Sequence, residues 1–211
     1  MKIIPSINCK DFNCVEEKLK QAAVFSDWVQ IDIADGKFTE HVTWNNAQEL
    51  REFRIKNEEL KINIEVHLMV EKPTEVMLPW MAVAERIILH IEALSPTDFL
   101  MNPEDEKFEI GLAVNPATDV QKLVPHLSHI KFVQILAVSP GKAGQTFDTG
   151  VLEKIKFLKK NHPDVIIEVD GGINLETAKM CKDAGADIVV SARYIFESPN
   201  PEEAYRELTA V

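Results

Sequence analysis

The stretch Val165-Ile166-Ile167-Glu168-Val169-Asp170-Gly171-Gly172, followed by Leu175 to Ala184 and then Ile188-Val189-Val190, decides the fold. A β-branched run ends in a carboxylate and two glycines, an amphipathic segment follows, and a second β-branched run closes the unit. Strand, helix and strand in that order form the repeating unit of a parallel sheet.

Working outward, the same alternation runs the length of the 211-residue chain. Strand-like runs lie at Ile3 to Ser6, Trp28 to Ile33, Ile62 to Leu68, Arg86 to His90, Glu109 to Val114, Ile130 to Ile135, Val165 to Asp170 and Ile188 to Val190. Helix-like segments are clearest at Val15 to Phe25, Ala47 to Lys56, Val120 to Leu127, Gly150 to Asn161, Leu175 to Ala184 and Pro201 to Leu208. A spacing of about 25 residues per unit predicts a compact (β/α)8 TIM barrel, somewhat below the usual ~250 residues, with residues 1–211 forming one domain. A doubly wound open sheet has fewer strands and often an early glycine-rich dinucleotide fingerprint, which is missing here. The fourth unit is weakest. Ser95 to Lys107 holds two prolines and a Pro-Glu-Asp-Glu cluster, so its helix is expected to be short or partly irregular.

With 45% hydrophobic and 27% charged residues the chain has material for one substantial core. Its net charge of −11 argues against nucleic acid or an anionic membrane as partner, while a local basic patch still suits one small anion. Apolar runs such as that around Ile87 and Ile88 stop short of the ~20 residues needed to span a bilayer. The start at Met1 to Ser6 shows no secretory h-region, so a cytoplasmic address is expected. Cys9, Cys14 and Cys181 form an odd set without a Cys-x-x-Cys pair and read as reduced thiols with no chemical role.

Polar residues cluster where strand runs end: Ser6, Asp32 and Asp35, His67, His90 and Glu92, Ser139, Asp170 and Arg193. One aspartate after a strand is more often a cap or turn residue, but convergence on the C-terminal rim of a barrel marks a site. Asp32 and Asp170 close the second and seventh runs, and barrel closure aims both into one mouth. Two facing carboxylates take a proton from one side of a carbon beside a carbonyl and return it to the other, which inverts that carbon. His67 would complete a nitrogen and oxygen set for zinc or a similar divalent ion, although a lone histidine is more often a buried, hydrogen-bonded one. Gly141-Lys142-Ala143-Gly144-Gln145 and Gly171-Gly172 allow backbone N–H groups to approach a phosphate. Arg193 adds a guanidinium fork or, more plainly, a surface salt bridge.

At these residues the chain resembles the ribulose-phosphate 3-epimerase family nearly end to end. The matching stretches are Pro5-Ser6-Ile7, Asp32 to Phe38, Val66-His67-Leu68-Met69-Val70, His90-Ile91-Glu92-Ala93, Gly111 to Thr118, Pro140-Gly141 with Gly144-Gln145, and Glu168 to Asn174. The resemblance implies a ribulose-phosphate-binding barrel, and a pentose phosphate pathway isomerase converting ribulose 5-phosphate to xylulose 5-phosphate. It makes Asp32 and Asp170 the acid/base pair and, with His67, ligands of a divalent ion such as zinc, iron or manganese. Ser6 and His67 become substrate contacts. Gly141, Lys142, Ala143, Gly144, Gly171, Gly172, Ala192 and Arg193 become the phosphate site of a small phosphorylated sugar, and a homodimer is expected.

The departures are informative. Gln30 stands where the family has a metal-binding histidine, and an amide oxygen is a poorer zinc ligand than imidazole. Ala34 and Leu136 replace two methionines beside the reacting carbons. Asn45-Asn46 replaces a Gly-Pro pair, and Ala192-Arg193 stands in place of Gly-Ser and is similar to the Gly-Arg end of the orotidine-phosphate decarboxylase group. That group's Asp-x-Lys-x-x-Asp is not reproduced. The alternatives kept open are an epimerase of another sugar phosphate, such as a hexulose 6-phosphate, and a non-catalytic sugar-phosphate-binding paralogue.

Overall fold

A computed structural model describes residues 1–95, 108–141 and 144–211. Within them eight strands run β1 (Lys2–Ile7), β2 (Trp28–Ala34), β3 (Asn63–Met69), β4 (Arg86–His90), β5 (Glu109–Val114), β6 (Phe132–Leu136), β7 (Ile166–Asp170) and β8 (Ile188–Ser191). All pair in parallel with their neighbours in sequence, and β1 pairs with β8, so the sheet closes. The expected (β/α)8 barrel is the observed one, with strand boundaries within two residues of those read from the sequence.

Alternation along each strand creates two apolar layers. Ile4, Ile88, Ala113, Phe132, Leu136, Ile188 and Val190 cluster with one another and fill the lumen. Residues of opposite parity, such as Ile31, Val66, Leu112, Val133 and Val169, face outward and pack under helices with Leu19, Leu50, Ile155 and Cys181. The outer elements are α1 (Phe12–Ala22), α2 (Ala47–Lys56), α3 (Pro73–Met81), α4 (Val151–Asn161), α5 (Leu175–Ala184), α6 (Arg193–Phe196) and α7 (Pro201–Thr209).

Two local readings change, and one helix not read from the sequence is present. Helix α1 begins at Phe12 because the Asp11 side chain caps it by accepting from the Cys14 N–H. Val120 to His126 is a 3-10 helix, because Pro125 supplies no N–H for an α-helical turn. Helix α3 shows no amphipathic period, since Val76, Met77, Leu78, Trp80 and Met81 spread around it and Pro79 interrupts it; buried Trp80 anchors it. The irregular helix expected over 95–107 falls almost wholly outside the described residues.

The expectation of three reduced thiols is corrected. Cys9 and Cys14 form a disulfide, with Cα atoms 5.9 Å apart, and only Cys181 is free. The Asp11 cap places Cys14 in the first turn of α1, folded back toward the end of β1, a proximity that linear spacing does not reveal. Among the described residues no helix is long and apolar enough to cross a membrane.

Helix α5 ends where Gly185 takes φ +105° and its N–H reaches the carbonyls of Cys181 and Lys182. A Cβ there would meet Lys159 Cγ at 2.8 Å. Gly185→Ala is expected to lower stability by about 1 kcal/mol, read as a lower urea midpoint at constant slope.

Candidate active site

Parallel register sets the site. Asp32 on β2 pairs with His67 on β3, so these inward side chains stand at one level of the lumen. Asp170, the last residue of β7, reaches the same level across the barrel. Together they line an open cleft with Ser6, Asn8, Met69, Leu136, Gly141, Gly144, Gly171, Gly172, Ala192 and Arg193 among its walls. Each residue read as catalytic, substrate-binding or metal-ligating is therefore here except Lys142 and Ala143, which lie outside the described residues, and Gln30, which lies one layer below.

His67 is 1% exposed, and its Nδ1 lies 3.5 Å from both Asp32 Oδ1 and Asp170 Oδ2, shared between the two carboxylates. Its Nε2 meets His90 Nε2 at 2.9 Å, and His90 Nδ1 meets Glu92 Oε2 at 3.2 Å. Glu92 only accepts, so His90 donates from Nδ1 and accepts at Nε2 from His67. This leaves His67 Nδ1 aimed between two carboxylates, where it can carry a proton or ligate an ion, with its ring held from behind. Burial, reinforced by the charge of His67 against the pull of Glu92, pushes His90 down to about 4, consistent with a neutral relay.

The cluster calls for a positive charge. Burial would lower the His67 imidazole, but hydrogen bonding and attraction to Asp170 and Asp32 lift it to about 9. Burial raises both carboxyls. For Asp32 the hydrogen bond and charge of His67, with Gln30 and Ser6, outweigh burial and hold it below its usual value; Asp170, facing the Asp32 charge, stays raised. A divalent ion answers the same demand. Ligands held about 2.1 Å from a tetrahedral ion stand about 3.4 Å apart. The two 3.5 Å separations match that edge, and the three ligand atoms lie within 4.8 Å of one another. Asp32, His67 and Asp170 thus fit a divalent metal ion.

Gln30 does not join them as a ligand. Its Nε2, not its oxygen, faces the carboxylates, donating to Asp32 Oδ1 at 2.7 Å and to Asp170 Oδ2 at 2.9 Å. Ser6 Oγ donates to Asp32 Oδ2 at 2.9 Å, and Asn8 Nδ2 donates to the same atom at 3.2 Å and to the Gly141 carbonyl at 3.1 Å. Asn8 and Gln134 escaped sequence reading, the first because it sits beyond its strand and the second because it acts through another side chain. His90 and Glu92 were read as polar strand-end residues, without the role behind His67 that the structure gives them.

The glycine loops converge beside the carboxylates. Gly172 has φ +68°, and a Cβ on it would meet the Phe147 backbone at 2.9 Å, so only glycine fits. Arg193 lies at the rim, its Nε donating to both Glu197 carboxylate oxygens at 2.9 and 3.0 Å and its Nη1 to the Gly144 carbonyl at 3.4 Å. Of the two readings of Arg193, the one seen in this arrangement is the surface salt bridge, made to Glu197. Asp35, by contrast, organises its own loop, accepting from the N–H groups of Lys37, Phe38 and Glu71.

Eight parallel strands closed on themselves, with a cleft at their C-terminal ends, define a (β/α)8 barrel of the ribulose-phosphate-binding type. Within that class the chain belongs to the ribulose-phosphate 3-epimerase family, whose profile matches residues 2–196. The ribulose-phosphate 3-epimerase of Schizosaccharomyces pombe is 31% identical over 207 residues, 96% of this chain and 90% of that one. The ribulose-phosphate 3-epimerase of Chlamydia pneumoniae is 35% identical over 205 residues, 92% of this chain and 87% of that one. Among solved structures a 3-hexulose-6-phosphate synthase superimposes with a TM-score of 0.68 at 15% identity, covering 100% of this chain and 99% of that one, a likeness of fold alone.

Proposed function

We propose that the cleft inverts C3 of a ketose phosphate, interconverting ribulose 5-phosphate and xylulose 5-phosphate. The observation that carries this reading is the meeting of Asp32 and Asp170, from strands on different sides of the lumen, beside a glycine-lined cradle in a chain of this family. Phosphate seated against the loops of Gly141, Gly144, Gly171 and Gly172 would hold the sugar so that C3 lies between the carboxylates. One carboxylate removes the C3 proton and the C2 carbonyl electrons shift to oxygen, giving a cis-enediolate. The other carboxyl then delivers a proton to the opposite face. Ser6 and Asn8 fix Asp32 for this exchange.

A divalent ion bound by Asp32, His67 and Asp170 would supply electrostatic stabilisation of the enediolate oxygens. The His67–His90–Glu92 chain keeps the imidazole turned toward that position. Small phosphorylated sugars are thus the partners this reading assigns.

Formation of xylulose 5-phosphate from ribulose 5-phosphate, followed by a coupled spectrophotometric assay with and without Zn2+, Fe2+ or Mn2+, tests the reading. Turnover of a hexulose 6-phosphate alone would replace the substrate, and binding without turnover of either would replace the reaction. Because Gly172 can take no Cβ without displacing Phe147, Gly172→Ala is expected to raise KM on the order of tenfold with a smaller change in kcat.

A further inference from the structure

Beneath the cleft, two fully buried glutamines link the reacting carboxylates to a carboxyl group lower in the barrel. Gln30 Nε2 donates upward to Asp32 Oδ1 and Asp170 Oδ2. Its Oε1 accepts from Gln134 Nε2 at 2.7 Å, and that same nitrogen donates to Glu168 Oε1 at 2.9 Å. Both glutamines are 0% exposed.

A carboxamide has one donor end and one acceptor end, so the chain has a direction. Turning Gln30 over would set its oxygen against two carboxylate oxygens and its nitrogen against the nitrogen of Gln134. Relieving the second clash would require Gln134 to turn too and give up its N–H on Glu168. The partners at both ends thus fix the two amides together.

We propose that Gln134 is a positioning residue that locks Gln30 with its N–H groups on Asp32 and Asp170, withholding the Gln30 carbonyl from a divalent cation and limiting the site to three protein ligands. The lock acts twice. It keeps a fourth oxygen away from the ion, and it keeps two donors on carboxylate oxygens for which the ion competes. This inference rests on the metal reading of the Asp32, His67 and Asp170 cluster. Its readout is cation affinity, so it stands apart from whether the cleft turns over a ketose phosphate.

The test is a Co2+ titration of chelator-treated full-length protein, followed by visible absorption, for wild type, Gln134→Met, Gln30→Ala and the double variant. Methionine keeps the shape of Gln134 without its donor. Gln134→Met is expected to bind Co2+ on the order of tenfold more tightly than wild type, with an altered absorption band as the Gln30 oxygen joins the ion. In the Gln30→Ala background the same substitution is expected to change affinity little, because the residue through which it acts is gone. Equal or weaker binding by folded Gln134→Met, an equal gain in both backgrounds, or no Co2+ binding by any of the four proteins would overturn the proposal. A measurement on wild type alone guards against variants that do not fold. The Gln30 side-chain 13Cδ resonance is expected to show no oxygen-coordination shift when Zn2+ is added, and such a shift would overturn the lock.

Discussion

Asp170→Asn is expected to lower kcat by about 10³- to 10⁴-fold while leaving the protein folded and able to hold a sugar phosphate. General acid–base groups contribute typically 10²–10⁴-fold, and this residue is asked to move a proton to or from carbon in every turnover. The amide is close to isosteric, and its oxygen can still accept the N–H that Gln30 now gives to Asp170. Burial and the neighbouring Asp32 charge already disfavour the ionised carboxyl, so removing its charge is expected to leave the melting temperature equal or higher. Steady-state kinetics, thermal unfolding and binding of an unreactive pentitol 5-phosphate check the three parts. A kcat within tenfold of wild type would remove Asp170 from the chemistry.

The largest loss of stability is expected from Arg86→Met at the floor of the barrel. The Arg86 guanidinium donates to Glu65 Oε2 at 2.6 Å and to Glu109 Oε2 at 2.8 Å. It also lies 3.6 Å from the Phe132 ring centroid and 4.6 Å from that of Trp28. Glu65 and Glu168 are both 0% exposed, and Arg86 is the cation that attracts both. Methionine retains much of the packing, but it leaves two buried carboxyls without a counter-charge. Breaking a buried pair in this way costs roughly 3–5 kcal/mol, a large share of the ~5–15 kcal/mol that holds a typical domain folded. Urea unfolding followed by circular dichroism measures it, and a loss under 1 kcal/mol would mean that Glu65 and Glu168 are satisfied without Arg86.

The parts of the molecule legible in the sequence are those governed by short-range pattern. The β-branched run ending at Asp170, the glycine pair and the segment to Ala184 state a βαβ unit directly, and eight such runs leave few folds open. Asp32, His67 and Asp170 were also legible, because each closes a strand and the barrel brings strand ends together. Helix α3 was hidden by Pro79 and by apolar residues on all its faces. The Cys9–Cys14 disulfide was hidden because proximity depends on where α1 starts, not on a recognised cysteine spacing. Most deeply hidden was the Gln30–Gln134 contact, which joins residues 104 apart across the lumen. In sequence each is one polar residue among β-branched neighbours, and only closure of the barrel shows that the amide of one orients the other.

The most direct test of the account is proton NMR of ribulose 5-phosphate incubated with the protein in D2O, with and without added divalent ion. The two-carboxylate reading predicts that the C3 proton is replaced by deuterium as xylulose 5-phosphate appears. It further predicts that Asp170→Asn suppresses epimer formation. Retention of the C3 proton with no xylulose 5-phosphate, under every metal condition, would contradict epimerisation of ribulose 5-phosphate by Asp32 and Asp170.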